Sequence, residues 1–163
     1  MDIVDFLKKH GIAYERFDHP AVMTCEESSK LCPPMPGMGT KNLFLRDERE
    51  RRLFLVVVGH GKNVDLKGLK KLLGVQKLSF GSPELLKQCL GVEPGAVTLL
   101  GLACDLDHRV EVIIDAPVWA AEKIGCHPLT NTATLVIPHE GVEMFLAATG
   151  HEPVIVDVPE RTL

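Results

Sequence analysis

Apolar residues recur along this chain with two different spacings. Ile3, Val4, Phe6 and Leu7 fall among charged neighbours, the pattern of a short amphipathic helix over 2–10 closed near Gly11. Ala13 to Phe17 reads as a short strand. Thr24-Cys25-Glu26-Glu27 is a capping box, which predicts a helix from Thr24 toward Lys30. Pro33, Pro34, Pro36, Gly37 and Gly39 then impose a loop that delivers the chain to a strand over 41–46. The charged run Asp47 to Arg52 is a turn. Leu53 to Val58 is apolar at every position, the signature of a central strand buried on both faces.

The second half alternates the same two patterns. Asp65 caps a predicted helix from Leu66 to Leu73, stopped by Gly74. Gln76 to Phe80 reads as a strand. Ser82 followed by Pro83 opens a helix that ends at Gly91. After the Pro94-Gly95 turn, strands are predicted over Ala96–Leu100, Val110–Ile114, Thr132–Ile137 and Val154–Val158. A helix from His139 to Ala148 is closed by Gly150. Seven or eight strands and five helices, mixed without strict alternation, predict an α+β (mixed α/β) fold. No linker or repeat interrupts it, so residues 1–163 read as one domain.

Composition narrows the class. The chain has 163 residues, is 45% hydrophobic and 25% charged, an ordinary globular balance. No apolar run approaches the roughly 20 residues of a spanning helix. No basic segment followed by an apolar one marks export, and a cytoplasmic protein without a membrane is expected. The five cysteines (Cys25, Cys32, Cys89, Cys104, Cys126) form no C-x-x-C pair, and no His pair has metal-ligand spacing. No metal and no cofactor are predicted.

The charge is uneven. The net charge is −4, yet residues 62–77 hold five lysines and one acid, +4, and residues 46–52 hold four arginines and three acids, +1. The remainder therefore carries −9. A basic helix and turn on an acidic body suit phosphate contact, or merely a solvated face. Lys62, Lys67, Lys70 and Lys71 are the expected phosphate ligands, and with few aromatics among them base stacking is disfavoured.

Two segments concentrate chemistry. In Gly39-Thr40-Lys41-Asn42-Leu43-Phe44-Leu45 a lysine and an amide enter a strand, a pattern that suits a cation with a shielded stem gripping a carbonyl or phosphate oxygen, or merely a lysine facing solvent. In His127-Pro128-Leu129-Thr130-Asn131-Thr132-Ala133-Thr134 an imidazole, an amide and three hydroxyls precede a strand, a density that suits a polar pocket wall or a hydrogen-bonded turn. No Walker loop, zinc-protease helix or nucleophile elbow occurs.

Read in order, these segments resemble the YbaK/ProX family, free-standing relatives of the prolyl-tRNA synthetase editing domain. His19-Pro20, Thr24-Cys25-Glu26-Glu27, Thr40-to-Leu45, Val64-to-Lys67, Leu78-Ser79-Phe80, Pro94-to-Thr98, Val110-to-Asp115 and His127-to-Thr132 carry the likeness over nearly the whole chain. Lys-Asn-Leu-Phe-Leu together with His-Pro-Leu-x-Asn-Thr resembles most the alanyl-tRNA(Pro) deacylase branch. The resemblance implies a mixed, mainly antiparallel sheet with surrounding helices, and metal-free hydrolysis of the ester of a mischarged tRNA. It implies that Lys41 holds the terminal nucleotide and the reacting ester. Asn42 and His127 would lie near the aminoacyl group. Gly95 and Ala96 would offer backbone amides to the developing oxyanion. Thr98, Asn131 and Thr132 join the substrate-binding set. Leu99 stands where the family's loop has proline, and Cys104 where asparagine is common.

Aminoacyl-tRNA, and prolyl-tRNA synthetase with it, are the implied partners. No Ser-His-Asp or Cys-His pair occurs at a recognisable spacing, so substrate assistance by a ribose hydroxyl is expected in place of a protein nucleophile. Two alternatives remain: a catalytically silent module binding tRNA ends or a synthetase, and a thiol-based regulator using Cys25 or Cys32.

Overall fold

The computed structural model describes residues 2–20 and 36–161. Among these, the chain forms two sheets and five α-helices. One sheet is antiparallel, with β1 (Glu15–Asp18), β7 (Ala133–Pro138) and β6 (Lys123–Cys126) in the order β1-β7-β6. The other is mixed, in the order β4-β2-β3-β5-β8, from β2 (Thr40–Arg46), β3 (Leu53–Gly59), β4 (Ser79–Phe80), β5 (Val110–Asp115) and β8 (Pro153–Val156). β2 pairs antiparallel with β3 and β4, while β3–β5 and β5–β8 are parallel. The helices are α1 (Ile3–Lys9), α2 (Leu66–Leu73), α3 (Pro83–Leu90), α4 (Ala116–Ala120) and α5 (His139–Thr149). This is the mixed α/β, mainly antiparallel arrangement that the sequence predicts.

β3 sits in the middle and shows why an unbroken apolar run belongs there. Leu53, Leu55 and Val57 point into the larger core, with Phe145 of α5, Leu86 and Leu90 of α3, and Leu7 of α1. Phe54, Val56 and Val58 point into a smaller core, with Leu69 of α2 and Val158. The strand is thus dry on both faces. Asp65 accepts from the Lys67 amide at 3.1 Å and starts α2, and Gly74, left-handed at φ 71°, ends it. Ser82 Oγ accepts from the Leu85 amide at 3.1 Å and starts α3, with Pro83 in the first turn.

The sheets meet at one crossing. Met38 forms a parallel bridge with Ile124: its amide donates to the Lys123 carbonyl at 2.9 Å, and its carbonyl accepts from the Gly125 amide at 3.0 Å. Thr40 Oγ1 then donates to the Gly125 carbonyl at 2.6 Å. Gly125 suits this close approach, since a Cβ would stand 3.0 Å from Thr134 Cγ2 on β7, which would have to give way.

Three expectations need correction. The strand expected over Ala96–Leu100 is two 3₁₀ segments, Pro94–Ala96 and Leu99–Cys104, because the Thr98 hydroxyl caps the second and turns its leucines into the core. The strand over 76–80 shrinks to Ser79–Phe80. β6 and α4 carry no sequence signal of their own; β6 exists through its pairing with β7 and Met38. The helix expected from Thr24 lies outside the described residues, as do Cys25 and Cys32.

Two buried carboxylates tie loops to the frame. Asp105 accepts from the Arg109 and Val110 amides at 3.0 and 2.9 Å and faces His151 Nε2 at 2.9 Å. Asp115 accepts from the Val158 amide at 2.9 Å and from Lys62 Nζ at 2.8 Å. None of the described helices is long and apolar enough to cross a membrane.

Candidate active site

The site grows from the crossing of the two sheets. Beyond Met38 and Gly125, β2 and β6 leave in the same direction, β2 through Lys41 and Asn42 and β6 through Cys126 into His127. The Lys-Asn pair and the His-Pro turn are therefore brought to one end of the molecule, although 85 residues separate Asn42 from His127 in the chain.

The pleat assigns Lys41 and Asn42 to opposite faces. Asn42 is in register with Val57, on the larger-core face that also holds Ala96, Cys126 and, partly buried, Leu129. Lys41 is in register with Val58, on the smaller-core face where α2 packs. Both are half-buried. Lys41 makes no ion pair among the described residues, whereas the half-buried Lys62 is held by Asp115. The Asn42 Oδ1 atom is buried and accepts no hydrogen bond among the described residues. A buried acceptor left without a donor costs about 1–3 kcal/mol. Such a group marks stored strain, a catalytic role, or a place for an ordered water or ion.

His127 is held as a base. Its Nδ1 lies 3.2 Å from the Ala133 carbonyl, which can only accept, so Nδ1 carries the proton and Nε2 keeps its lone pair. Burial, with the neighbouring His19 opposing a second charge, lowers its pKa below the ordinary value of 6.5, and the Ala133 bond offsets this only in part. His19, its ring 6.4 Å away, is fixed by Nδ1–H to the Pro20 carbonyl (2.9 Å) and by Nε2 to Thr134 Oγ1 (2.8 Å). The His19 amide also donates to the Thr132 carbonyl at 3.0 Å, which ties the N-terminal segment to the turn. Sequence reasoning used His19 only as part of a motif; its supporting role shows only in three dimensions.

The sign of the pH effect follows. Below 6.5 the unfolded chain takes up a proton that native His127 refuses, so stability falls as the pH drops until the lowered native pKa is reached. Hydrolysis that uses neutral His127 should be flat above 6.5, with its acid limb displaced below that value. His127→Gln should remove the limb. A limb unchanged in His127→Gln would assign it to another group.

The other expected site residues divide. The turn 127–132 is tight: Pro128 is buried and Leu129 has φ 66°, a left-handed conformation that costs a branched side chain about 1–3 kcal/mol. Asn131 is half-buried in it, and Thr132, exposed, pairs its hydroxyl with Thr130 Oγ1 at 3.2 Å. Gly95 lies in the first 3₁₀ turn. The Ala96 amide donates to the Glu93 carbonyl at 2.9 Å and Ala96 is buried, so this amide is committed. The Thr98 hydroxyl, fully buried, accepts from the Leu100 amide at 3.2 Å. The Ala96 amide and the Thr98 hydroxyl are thus engaged in shaping the turn. Leu99, in the proline position, is buried core. Lys67 and Lys71 are exposed on α2 and Lys70 is half-buried.

Thiol chemistry finds no support among the described cysteines. Burial raises the Cys89 and Cys104 thiols and pushes Cys126 up to about 12, which keeps them protonated and poorly nucleophilic.

This architecture is that of an editing domain. A crystal structure of a hypothetical protein superposes with a TM-score of 0.73 at 18% identity, over 97% of this chain and 99% of that one. The family model described as "Aminoacyl-tRNA editing domain" matches residues 19–145, a span that contains Lys41, Asn42, Gly95 and His127. The chain belongs to this family, the YbaK/ProX group of tRNA-editing domains. It is 37% identical to "Prolyl-tRNA synthetase associated domain-containing protein 1" of Danio rerio, covering 95% of this chain and 85% of the relative. It is 36% identical to "Prolyl-tRNA editing protein ProX" of Acetoanaerobium sticklandii, covering 91% of each.

Proposed function

We propose that this protein is a trans-editing deacylase that hydrolyses the ester of a mischarged aminoacyl-tRNA, with alanine on tRNA(Pro) as its substrate. The buried Oδ1 of Asn42, without a donor among the described residues, carries the reading. It needs a donor from the ligand, and an α-ammonium or a ribose hydroxyl supplies one. Family membership gives the reaction class.

The two faces of β2 divide the work. Lys41, half-buried and without an ion pair among the described residues, takes a phosphate of the terminal nucleotide on one face. Asn42 and His127 meet the aminoacyl end on the other. A water oxygen bonds to the ester carbonyl carbon, the carbon–oxygen bond to the ribose breaks, and the ribose oxygen receives a proton. His127 Nε2 and the neighbouring ribose hydroxyl orient the water, and the Gly95 amide stabilises the oxyanion. No protein nucleophile is required, because the ester is already labile and positioning supplies most of the acceleration.

One observation favours a second reading, a silent module that binds tRNA ends. The Ala96 amide is spent on Glu93, which halves the expected oxyanion donors. A panel of tRNA(Pro) charged with Ala, Ser or Pro separates the two. Ala should be released fastest, Ser within about tenfold, and Pro at least about a hundredfold more slowly, since one methylene is worth about 10–200-fold. Binding of all three without ester loss would establish the silent module. Prolyl-tRNA synthetase is the partner that would supply such a tRNA.

A further inference from the structure

The β2–β3 hairpin has two ends, and the deacylation centre occupies one. The register runs from Thr40↔Gly59 at that end to Arg46↔Leu53 at the other. At ~3.3–3.4 Å per residue the two are roughly 20 Å apart. α2 runs back along the same face as Lys41. Its C-terminus is fastened to the far turn by Arg52 Nη1, which donates to the Leu73 carbonyl at 3.0 Å. The Lys77 amide donates to Glu48 Oε2 at 3.3 Å, which brings the segment after α2 onto the turn 47–52.

The cations at this end (Arg46, Arg49, Arg51, Arg52 and Lys77) outnumber the acids (Asp47, Glu48, Glu50 and Glu111) by one, and they are not engaged alike. Arg46 faces Glu50 at 3.7 Å, and Arg52 holds Glu111 through two bonds of 2.8 and 2.9 Å. Asp47, buried, accepts from the Arg49 and Arg51 amides at 3.3 and 2.9 Å. Glu48 is taken by the Lys77 amide and Asp65 by the Lys67 amide. Glu50 and Glu111 are thus paired with arginines, while Asp47 and Glu48 are held by backbone amides and keep their charge. Arg49, Arg51 and Lys77 are left exposed, with no ion pair among the described residues, and Lys67, Lys70 and Lys71 fill the interval back toward Lys41. A helix C-terminus alone would account for Lys70 and Lys71. It does not account for two arginines presented by a separate turn.

We propose that Arg49, Arg51 and Lys77 form a second nucleic-acid contact that grips the phosphates of a double-stranded stem whose single-stranded 3′ end lies at Lys41. The inference rests on the functional reading above for the position of that end. A track of roughly 20 Å spans on the order of half a turn or more of an A-form duplex. The contact is to backbone: the exposed Phe80, on β4 beside Arg46, is a single ring among arginines and lysines and no stacking platform, so the contact reads duplex form and not sequence.

The test compares two uncharged RNA probes: a hairpin of about seven base pairs with a single-stranded 3′ end, long enough to reach the far turn, and that end alone. Affinity is measured by fluorescence anisotropy across a salt series for wild type, for Arg49→Ala/Arg51→Ala/Lys77→Ala, and for the charge-keeping Arg49→Lys/Arg51→Lys/Lys77→Arg. The alanine variant should lose at least about tenfold in affinity for the hairpin. Its salt slope should shrink by about 2–3, close to one for each phosphate that is no longer neutralised. Its affinity for the single strand should stay within about twofold, and the charge-keeping variant should bind both probes like wild type. Equal weakening on both probes, or none on the hairpin, overturns the proposal. Release of alanine from the short charged end by wild type tests the catalytic reading separately: if that fails while the hairpin loss holds, the deacylase reading falls and the stem contact stands.

Discussion

Lys41→Ala should lower kcat/KM for ester hydrolysis by about 10²–10³-fold, the size of effect seen when one charged or hydrogen-bonding group at a reacting centre is removed. Its thermal midpoint should stay within a few degrees of wild type. The two halves have one cause. Lys41 is half-buried beside the apolar residues of its sheet face and opposes Val58, with no acid bound to it among the described residues. Its loss leaves no carboxylate stranded, so folding is spared. What is lost is a cation whose partner arrives with the substrate. Lys41→Arg keeps the charge but replaces a compact ammonium with a planar fork, and it should restore only part of the rate. Wild-type turnover in Lys41→Ala would refute the role, and an unfolded variant would show that the side chain is structural.

Asp115→Ala should have the opposite profile, with the largest loss of stability of any single substitution considered. The Asp115 side chain is 2% exposed and serves two donors, the Val158 amide and the Lys62 ammonium, itself 20% exposed. Removing one partner of a buried pair costs about 3–5 kcal/mol, because the other is left without compensation. In a chain of this length that is on the order of 10 °C or more in the midpoint. Asp115→Asn keeps an acceptor for the Val158 amide and should lose less. Urea titration gives both values. A loss below about 1 kcal/mol for Asp115→Ala, within the scatter of surface substitutions, would mean that Lys62 escapes to water and the clamp is weak. The clamp also bears on function. Lys62 lies in the connection from β3 to α2, and it was expected among the phosphate ligands. With its charge engaged by Asp115, the cations of the basic stretch that make no ion pair among the described residues are Lys67, Lys70, Lys71 and Lys77.

Most of the frame was legible along the chain because its signals are local. Six consecutive apolar residues at 53–58 have only one good place, the middle of a sheet with a core on each side, and β3 occupies it. Asp65 with Gly74, and Ser82 with Gly91, mark the ends of α2 and α3 through caps that involve neighbouring residues alone. The segment 94–104 misled because its apolar residues are dense enough for a strand. The proline and the Thr98 cap instead wind it into 3₁₀ turns, and that choice is settled by the core the leucines enter. β6 was missed for the complementary reason: Lys-Ile-Gly-Cys has no periodicity to read, and its glycine is there for the close approach to Thr134.

The site divides along the same line. By itself the sequence determined which residue types stand together: a lysine beside an amide, an imidazole ahead of hydroxyls, and basic residues confined to 46–52 and 62–77. These are facts of adjacency, and adjacency is what a chain encodes directly. Only the tertiary structure decided which groups are still available. It spent Lys62 on Asp115, the Ala96 amide on Glu93 and the Thr98 hydroxyl on Leu100, and it left Asn42 Oδ1 buried without a donor. It also put Lys41 and Asn42 on opposite faces of one strand, because a pleat alternates its side chains whatever their chemistry. Hydrogen-bond capacity is finite and is consumed by partners distant in sequence, so what remains for a ligand is known only once the chain has closed on itself.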